Sequence, residues 1–119
     1  MRNRLIMLAV LAAGPALATP GGQIDTLQQG TYVCELPGDA TGPAGLRRHE
    51  HDFTVVTASS YLTDAGRGTY LLTGDTVTFT SGPKRGEKFN RLSDNFLRKL
   101  GPDGQDGDLR CVRQVVNNR

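Results

Sequence analysis

The sequence contains no tryptophan and only a few histidine, cysteine and aromatic residues. Its 119 residues include 2 histidines and 2 cysteines, and aromatic side chains make up 6%. Both histidines fall in the tetrapeptide HEHD, residues 49–52, so a Ser-His-Asp triad would need partners from scattered positions. The sequence has no G-x-S-x-G elbow, no phosphate-binding Gly-Lys loop and no C-x-x-C pair. We therefore expect a protein that is not an enzyme, with no catalytic residues and no cofactor.

The only long apolar run lies at the start of the chain. Residues 1–18, MRNRLIMLAVLAAGPALA, place two arginines before an apolar stretch and close on the small-x-small pattern ALA. This is the organisation of a secretory signal peptide, and the apolar stretch is too short to span a bilayer. We expect an exported protein of the periplasm or the extracellular space that does not span the membrane.

The rest of the chain shows no excess of charge of either sign. Without residues 1–18 it carries 12 basic and 12 acidic side chains, so its formal net charge is zero. A globally basic protein that binds nucleic acid is therefore not predicted.

The two cysteines, Cys34 and Cys111, predict one disulfide bond, because an exported chain reaches an oxidising compartment. They lie near the two ends of the domain, so a disulfide between them would close a long loop. In the loop-entropy description, closing such a loop stabilises the folded state by about 4 to 5 kcal/mol. The alternatives are two buried free thiols or a metal-binding pair.

The remaining sequence predicts a single all-β domain. Residues 19–29 are rich in glycine, glutamine and threonine and predict a flexible leader, whereas residues 30–116 alternate short β-prone runs with turn signals. This pattern indicates an antiparallel meander of about eight short strands. A small closed or nearly closed barrel would remove exposed strand edges; a two-layer β-sandwich is the alternative. The alternation places these residues inward: Tyr32, Leu36, Phe53, Val55, Tyr61, Tyr70, Leu72, Val77, Phe79, Phe89, Phe96, Leu100, Leu109 and Val115.

Two clusters resemble metal sites only weakly. On a strand, His49 and His51 would share one face, a spacing that suits Zn²⁺ or Cu²⁺, but no third ligand is evident. The segment DGQDGD, residues 103–108, lacks the alternating acids and the final glutamate of a calcium loop. We predict a polar strand entrance and a hairpin, with no metal site.

One segment departs from the neutral balance of the domain. Residues 84–99 carry a net charge of +4, with Phe89 and Phe96 interleaved. Such a face could bind an anionic envelope surface or an acidic protein, although cations on an edge hairpin also serve to prevent aggregation. The candidate residues are Lys84, Arg85, Lys88, Arg91, Arg98 and Lys99.

Three stretches, GTYVCELPGDATGPAG, SSYLTDAGRGTYLLTGDTVTFTSGP and NFLRKLGPDGQDGDLRCVR, resemble a group of small exported proteins of sphingomonad-like proteobacteria. The resemblance covers nearly all of the chain after residue 18 and implies export without implying an activity. The label elongation factor P, sometimes attached to this group, does not fit, because that factor is a longer cytosolic protein of several β-domains.

Two functions follow from these expectations. The first is a non-enzymatic binding or structural module of the envelope that uses residues 84–99. The second is a small-ligand carrier with a lipocalin- or avidin-like cup, which would require an internal pocket of a few hundred Å³. An eight-stranded barrel has room for its own side chains or for one small ligand, and we expect a filled interior.

Overall fold

The computed structural model describes residues 22–115, so the predicted signal peptide, residues 1–18, lies outside the described residues. Within 22–115 the chain forms ten strands and one 3-10 turn, His49–His51, with no α-helix. In this part of the chain no helix is long and apolar enough to cross a membrane. The strands are β1 (Ile24–Asp25), β2 (Gly30–Pro37), β3 (Gly45–Arg47), β4 (Phe53–Val55), β5 (Ser60–Thr63), β6 (Gly66–Thr73), β7 (Thr76–Phe79), β8 (Lys88–Ser93), β9 (Phe96–Leu100) and β10 (Asp106–Arg113).

Eight strands close into an antiparallel barrel. Around the ring the order is β2, β10, β9, β8, β7, β6, β5 and β4, and β4 pairs again with β2. Strands β1 and β3 lie outside the ring, on β6 and β2 respectively. The prediction of a small closed barrel is confirmed, and the two-layer sandwich is excluded. We call the end where β2, β5, β7 and β9 finish the upper mouth, and the opposite end the lower mouth.

Local sequence explains the β6–β7 hairpin. Thr73 pairs with Thr76, which leaves Gly74 and Asp75 as a two-residue turn, and Gly74 has a φ of 60° that suits glycine. In β7, Val77 is buried while the threonines on either side are partly exposed. The threonines of this strand therefore face outward, as the period of two predicts.

Aromatic rings fill the barrel. Phe53 lies at the centre, stacked on Tyr32 with ring centroids 5.0 Å apart, and it meets Phe79 edge to face at 5.2 Å. Tyr61 and Phe89 contact the same group, with their centroids 4.8 Å and 5.6 Å from that of Phe79. Such offset and edge-to-face pairs are favourable beyond the area that they bury. The remaining buried hydrophobic side chains are Leu27, Cys34, Val55, Tyr70, Leu72, Val77, Leu97, Leu109 and Cys111.

Strand β9 is the main correction to the predicted core. Leu97 is fully buried, whereas Phe96 and Leu100, predicted to point inward, are only partly buried. Phe96 lies opposite Val112 on the outer face. Leu97 lies opposite the buried Cys111 in a regular part of the β9–β10 pairing, and residues directly opposite each other lie on the same face of the sheet. The prediction that Val115 points inward is also wrong, because Val115 lies beyond β10 and is 63% exposed.

The predicted disulfide joins two neighbouring strands of the ring. Cys34 on β2 lies directly opposite Cys111 on β10, and their sulfurs are bonded across a sequence separation of 77 residues. Both residues are fully buried. The bond therefore connects the first and last strands of the barrel, at the pairing that closes the ring.

The leader is not loose over its described part. Ile24 and Asp25 pair with the end of β6, and Leu27 is only 4% exposed. The Leu27 N–H donates to the Tyr70 hydroxyl at 3.1 Å, and the Tyr32 hydroxyl donates to the Gln28 carbonyl at 2.8 Å. The sequence predicts a flexible leader; in the structure residues 24–28 pack against the barrel and cover the lower mouth, where Leu27 completes the core.

Candidate functional site

The upper mouth is covered by the connection between β7 and β8, residues 80–87, which we call the plug loop. Its turns are held by backbone hydrogen bonds, including Gly86 N–H to Phe79 O at 2.8 Å and Glu87 N–H to Lys84 O at 3.0 Å. Gly82 has a φ of 89°, and a Cβ there would lie 2.6 Å from the Gly68 Cα. Only glycine allows the loop to approach β6 this closely.

Tyr61 anchors the plug loop from inside the barrel. Its hydroxyl donates to the Ser81 carbonyl at 2.8 Å and accepts from the Lys84 N–H at 2.8 Å. Burial raises the pKa of Tyr61 above its usual value. The hydroxyl therefore stays neutral and keeps both hydrogen bonds across the ordinary pH range.

Lys84 projects from the plug loop into the aromatic core and is only 4% exposed. Its Nζ lies 5.4 Å, 5.5 Å and 5.6 Å from the ring centroids of Phe53, Phe79 and Phe89. It also donates to the His51 carbonyl at 3.0 Å. We call these three rings, the His51 carbonyl and the carboxylate of Glu87 the ammonium cage.

Glu87 is the counter-ion of Lys84. Its Oε1 lies 3.1 Å from Lys84 Nζ and 3.7 Å from Lys99 Nζ. Within residues 22–115 this oxygen accepts no hydrogen bond of good geometry, so both contacts are ion pairs. Burial is the main influence on Lys84 and lowers its pKa, while Glu87 opposes that shift. Lys99 lowers the pKa further, and Asp52 raises it. The cage thus holds an ammonium group whose loss of hydration is offset by rings, a carbonyl and a carboxylate.

A groove of about 630 Å³ opens beside the plug loop at the upper mouth. It exists because β4 pairs with β5 only through Thr54 and Val55, and the chain before Phe53 turns away as the 3-10 turn. Its lining mixes hydroxyl, carboxylate and apolar groups: Thr31, His49, Glu50, Asp52, Phe53, Thr54, Leu62, Thr63, Asp64, Ala65, Pro83, Lys84 and Glu87.

Three of the six predicted cationic residues do not lie on a free face. Lys84 is in the cage, and Lys99 is directed to Glu87. Arg91 lies near the lower mouth, with guanidinium nitrogens 3.2 Å from Asp75 and 3.6 Å from Asp25. Because they are buried or paired with carboxylates, these three residues do not contribute to the exposed cationic face that the sequence predicts.

The other three cations do face outward. Arg85 on the plug loop and Lys88 at the start of β8 are exposed, and within residues 22–115 neither has a carboxylate oxygen within 4.0 Å. Arg98 on β9 is partly buried and donates to the Gly107 carbonyl at 3.1 Å. We call Arg85, Lys88 and Arg98 the outer cationic face.

The two histidines occupy a 3-10 turn and not the predicted strand. His49 is exposed, with Nδ1 3.2 Å from the Arg47 guanidinium and 3.7 Å from the Asp52 carboxylate. Among the described residues, no group of three His, Cys, Asp or Glu side chains could hold a metal ion. The role of the His51 carbonyl could not be predicted from the sequence, because every residue has a carbonyl and no residue pattern identifies one as the hydrogen-bond acceptor of Lys84.

Fold and site together define a small disulfide-closed β-barrel with a filled interior, a plugged upper mouth and a groove beside the plug. No protein-family model, curated protein or solved structure matches this chain.

Proposed function

We propose that this chain is an exported, non-enzymatic binding or structural module of the cell envelope, working in the periplasm or outside the cell. The signal-like residues 1–18 and the disulfide between Cys34 and Cys111 support export. The observation that carries the binding role is the occupation of the barrel by its own rings, with Leu27 and Lys84 covering the two mouths. A partner then has only the outer surface to contact.

The outer cationic face is the surface that we propose for an anionic partner, either an anionic envelope surface or an acidic protein. The side chains of Arg85 and Lys88 are exposed to solvent, in a domain whose formal net charge after residue 18 is zero. Binding through exposed charges is weak and screened within about 8 to 10 Å at ordinary ionic strength. Retention should therefore fall steeply as salt is added.

Co-sedimentation with vesicles that contain phosphatidylglycerol tests this proposal. We expect binding by the wild type at low salt and its loss in the double variant Arg85→Glu, Lys88→Glu. The matched control is the double variant Arg47→Glu, Arg48→Glu, which changes the net charge by the same amount. Arg47 ends β3 and Arg48 follows it; β3 pairs with β2, which lies three strands from β8 around the ring. Equal losses in the two variants would mean that total charge matters and that the face does not. No wild-type binding at low salt would reject an anionic membrane surface as the partner.

A small-ligand carrier is the second candidate, and the groove at the upper mouth is what favours it. Its volume of about 630 Å³ falls in the range of small-molecule sites. Leu62, 42% exposed, supplies an apolar wall. The neutral fluorophore N-phenylnaphthylamine should then bind with increased emission, and Leu62→Glu should abolish the increase. Leu71→Glu, at an equally exposed leucine outside the groove lining, is the control. Identical emission for both variants would reject the groove as the site.

A further inference from the structure

The surroundings of Lys84 are those of a receptor for ammonium ions. Its Nζ is nearly equidistant from three phenylalanine rings, at 5.4 Å, 5.5 Å and 5.6 Å from their centroids. Aromatic faces attract cations within about 6 Å, and the effect grows when water is excluded. Proteins that bind alkylammonium groups use such cages of rings.

The polar part of the cage also fits an ammonium group. An ammonium has three donors and no acceptor. Here the His51 carbonyl accepts one N–H at 3.0 Å, and the Glu87 carboxylate supplies a negative charge at 3.1 Å. The rings face the remaining side. A neutral apolar side chain would fill this volume without using the carbonyl or the carboxylate.

The chain keeps this site closed with its own lysine. Tyr61 holds the backbone N–H of Lys84 at 2.8 Å, and the plug loop returns to β7 through the Gly86 N–H. The cage atoms come from the 3-10 turn, β4, β7, β8 and the end of the plug loop. Removing the lysine side chain beyond Cβ would leave a space with the shape of propylamine beside the groove.

We propose that the upper mouth is an alkylammonium-binding site that the chain occupies with Lys84, and that it accepts an external primary ammonium ion when Lys84 is withdrawn. This inference is independent of the proposed surface function. In the wild type, Lys84 acts as the tethered ligand, which keeps the plug loop in the mouth.

Titration calorimetry of the variant Lys84→Ala with n-propylammonium tests the proposal. We expect saturable binding at least about tenfold tighter than that of n-propanol, which has the same number of heavy atoms but no charge. Neither wild type nor Lys88→Ala, which removes an exposed lysine, should bind n-propylammonium. Adding Glu87→Gln to Lys84→Ala should weaken the binding about tenfold, because the counter-ion is lost. Equal affinity for the alcohol, or no saturable binding by the folded variant, would overturn the proposal.

A measurement on the wild type covers the case in which Lys84→Ala does not fold. Protons above aromatic faces resonate upfield, so the Cε protons of Lys84 should lie well upfield of those of Lys88, which is exposed. They should also show nuclear Overhauser contacts to the rings of Phe53, Phe79 and Phe89. Coincident lysine signals would show that the ammonium group is not in the cage and would overturn the inference.

Discussion

Replacing both Cys34 and Cys111 by alanine removes the covalent bond between the first and last strands of the barrel. The bond closes a separation of 77 residues. In the loop-entropy description, opening a loop of this length costs about 4.5 kcal/mol at 25 °C. A domain of this size has a total free energy of unfolding of only about 5 to 15 kcal/mol. The variant should therefore lose a large part of its stability, and its melting temperature should fall by roughly 20 °C.

Urea denaturation of three samples measures this loss. Oxidised wild type, wild type reduced with dithiothreitol and the double alanine variant separate the bond from the packing of the two buried sulfurs. Reduced wild type and variant should unfold at similar, much lower urea concentrations. Thiol titration of unreduced, denatured wild type should find no free cysteine. A loss below about 1 kcal/mol would refute the reasoning, because the unfolded chain would then gain little freedom from opening the loop.

Three further predictions follow from single groups. Tyr61→Phe should cost about 1 to 3 kcal/mol in the free energy of unfolding, because two plug-loop groups lose their partner, and should speed hydrogen exchange of the Lys84 amide; unchanged exchange would contradict it. Burial raises the pKa of Tyr32 from 10.0 to about 12. The contribution of Tyr32 to the free energy of unfolding is therefore fully present below pH 10, and about 2 to 3 kcal/mol of it should be lost as the pH rises towards 12. Denaturation with tyrosinate absorbance checks this, and Tyr32 titrating near pH 10 would contradict it. The double variant His49→Ala, His51→Ala should leave stability and metal content unchanged; zinc that survives dialysis only in wild type would contradict it.

The barrel could be predicted because its signals are local. The alternation of Val77 and Phe79 with threonines defines both faces of β7, and Gly74 marks the turn before it. Strand β9 could not be predicted in the same way. Apolar residues stand on both of its faces, Phe96 and Leu100 on one and Leu97 on the other, and only the register that puts Leu97 opposite the buried Cys111 decides which face points inward.

The candidate site was harder to predict because its partners are distant in sequence. The net charge of +4 in residues 84–99 predicts an exposed cationic face that includes Lys84, and lysine is rarely buried. The burial of Lys84 depends on rings from three strands and on the His51 carbonyl. The one local signal is Glu87, three residues later, which can pair with it. Leu27 was missed similarly, since a lone leucine among polar residues has no periodic partner.

Nuclear magnetic resonance under xenon pressure tests most directly the claim that the barrel is filled by its own side chains. Xenon enters dry internal cavities and shifts the signals of the methyl groups that line them. If rings and aliphatic side chains occupy the interior, the methyl signals of Val55, Leu72 and Val77, all at most 1% exposed, should not move with xenon pressure. Saturable shifts confined to these inward methyls would contradict the account, because they would reveal an internal cavity and favour a carrier that holds its ligand inside the barrel.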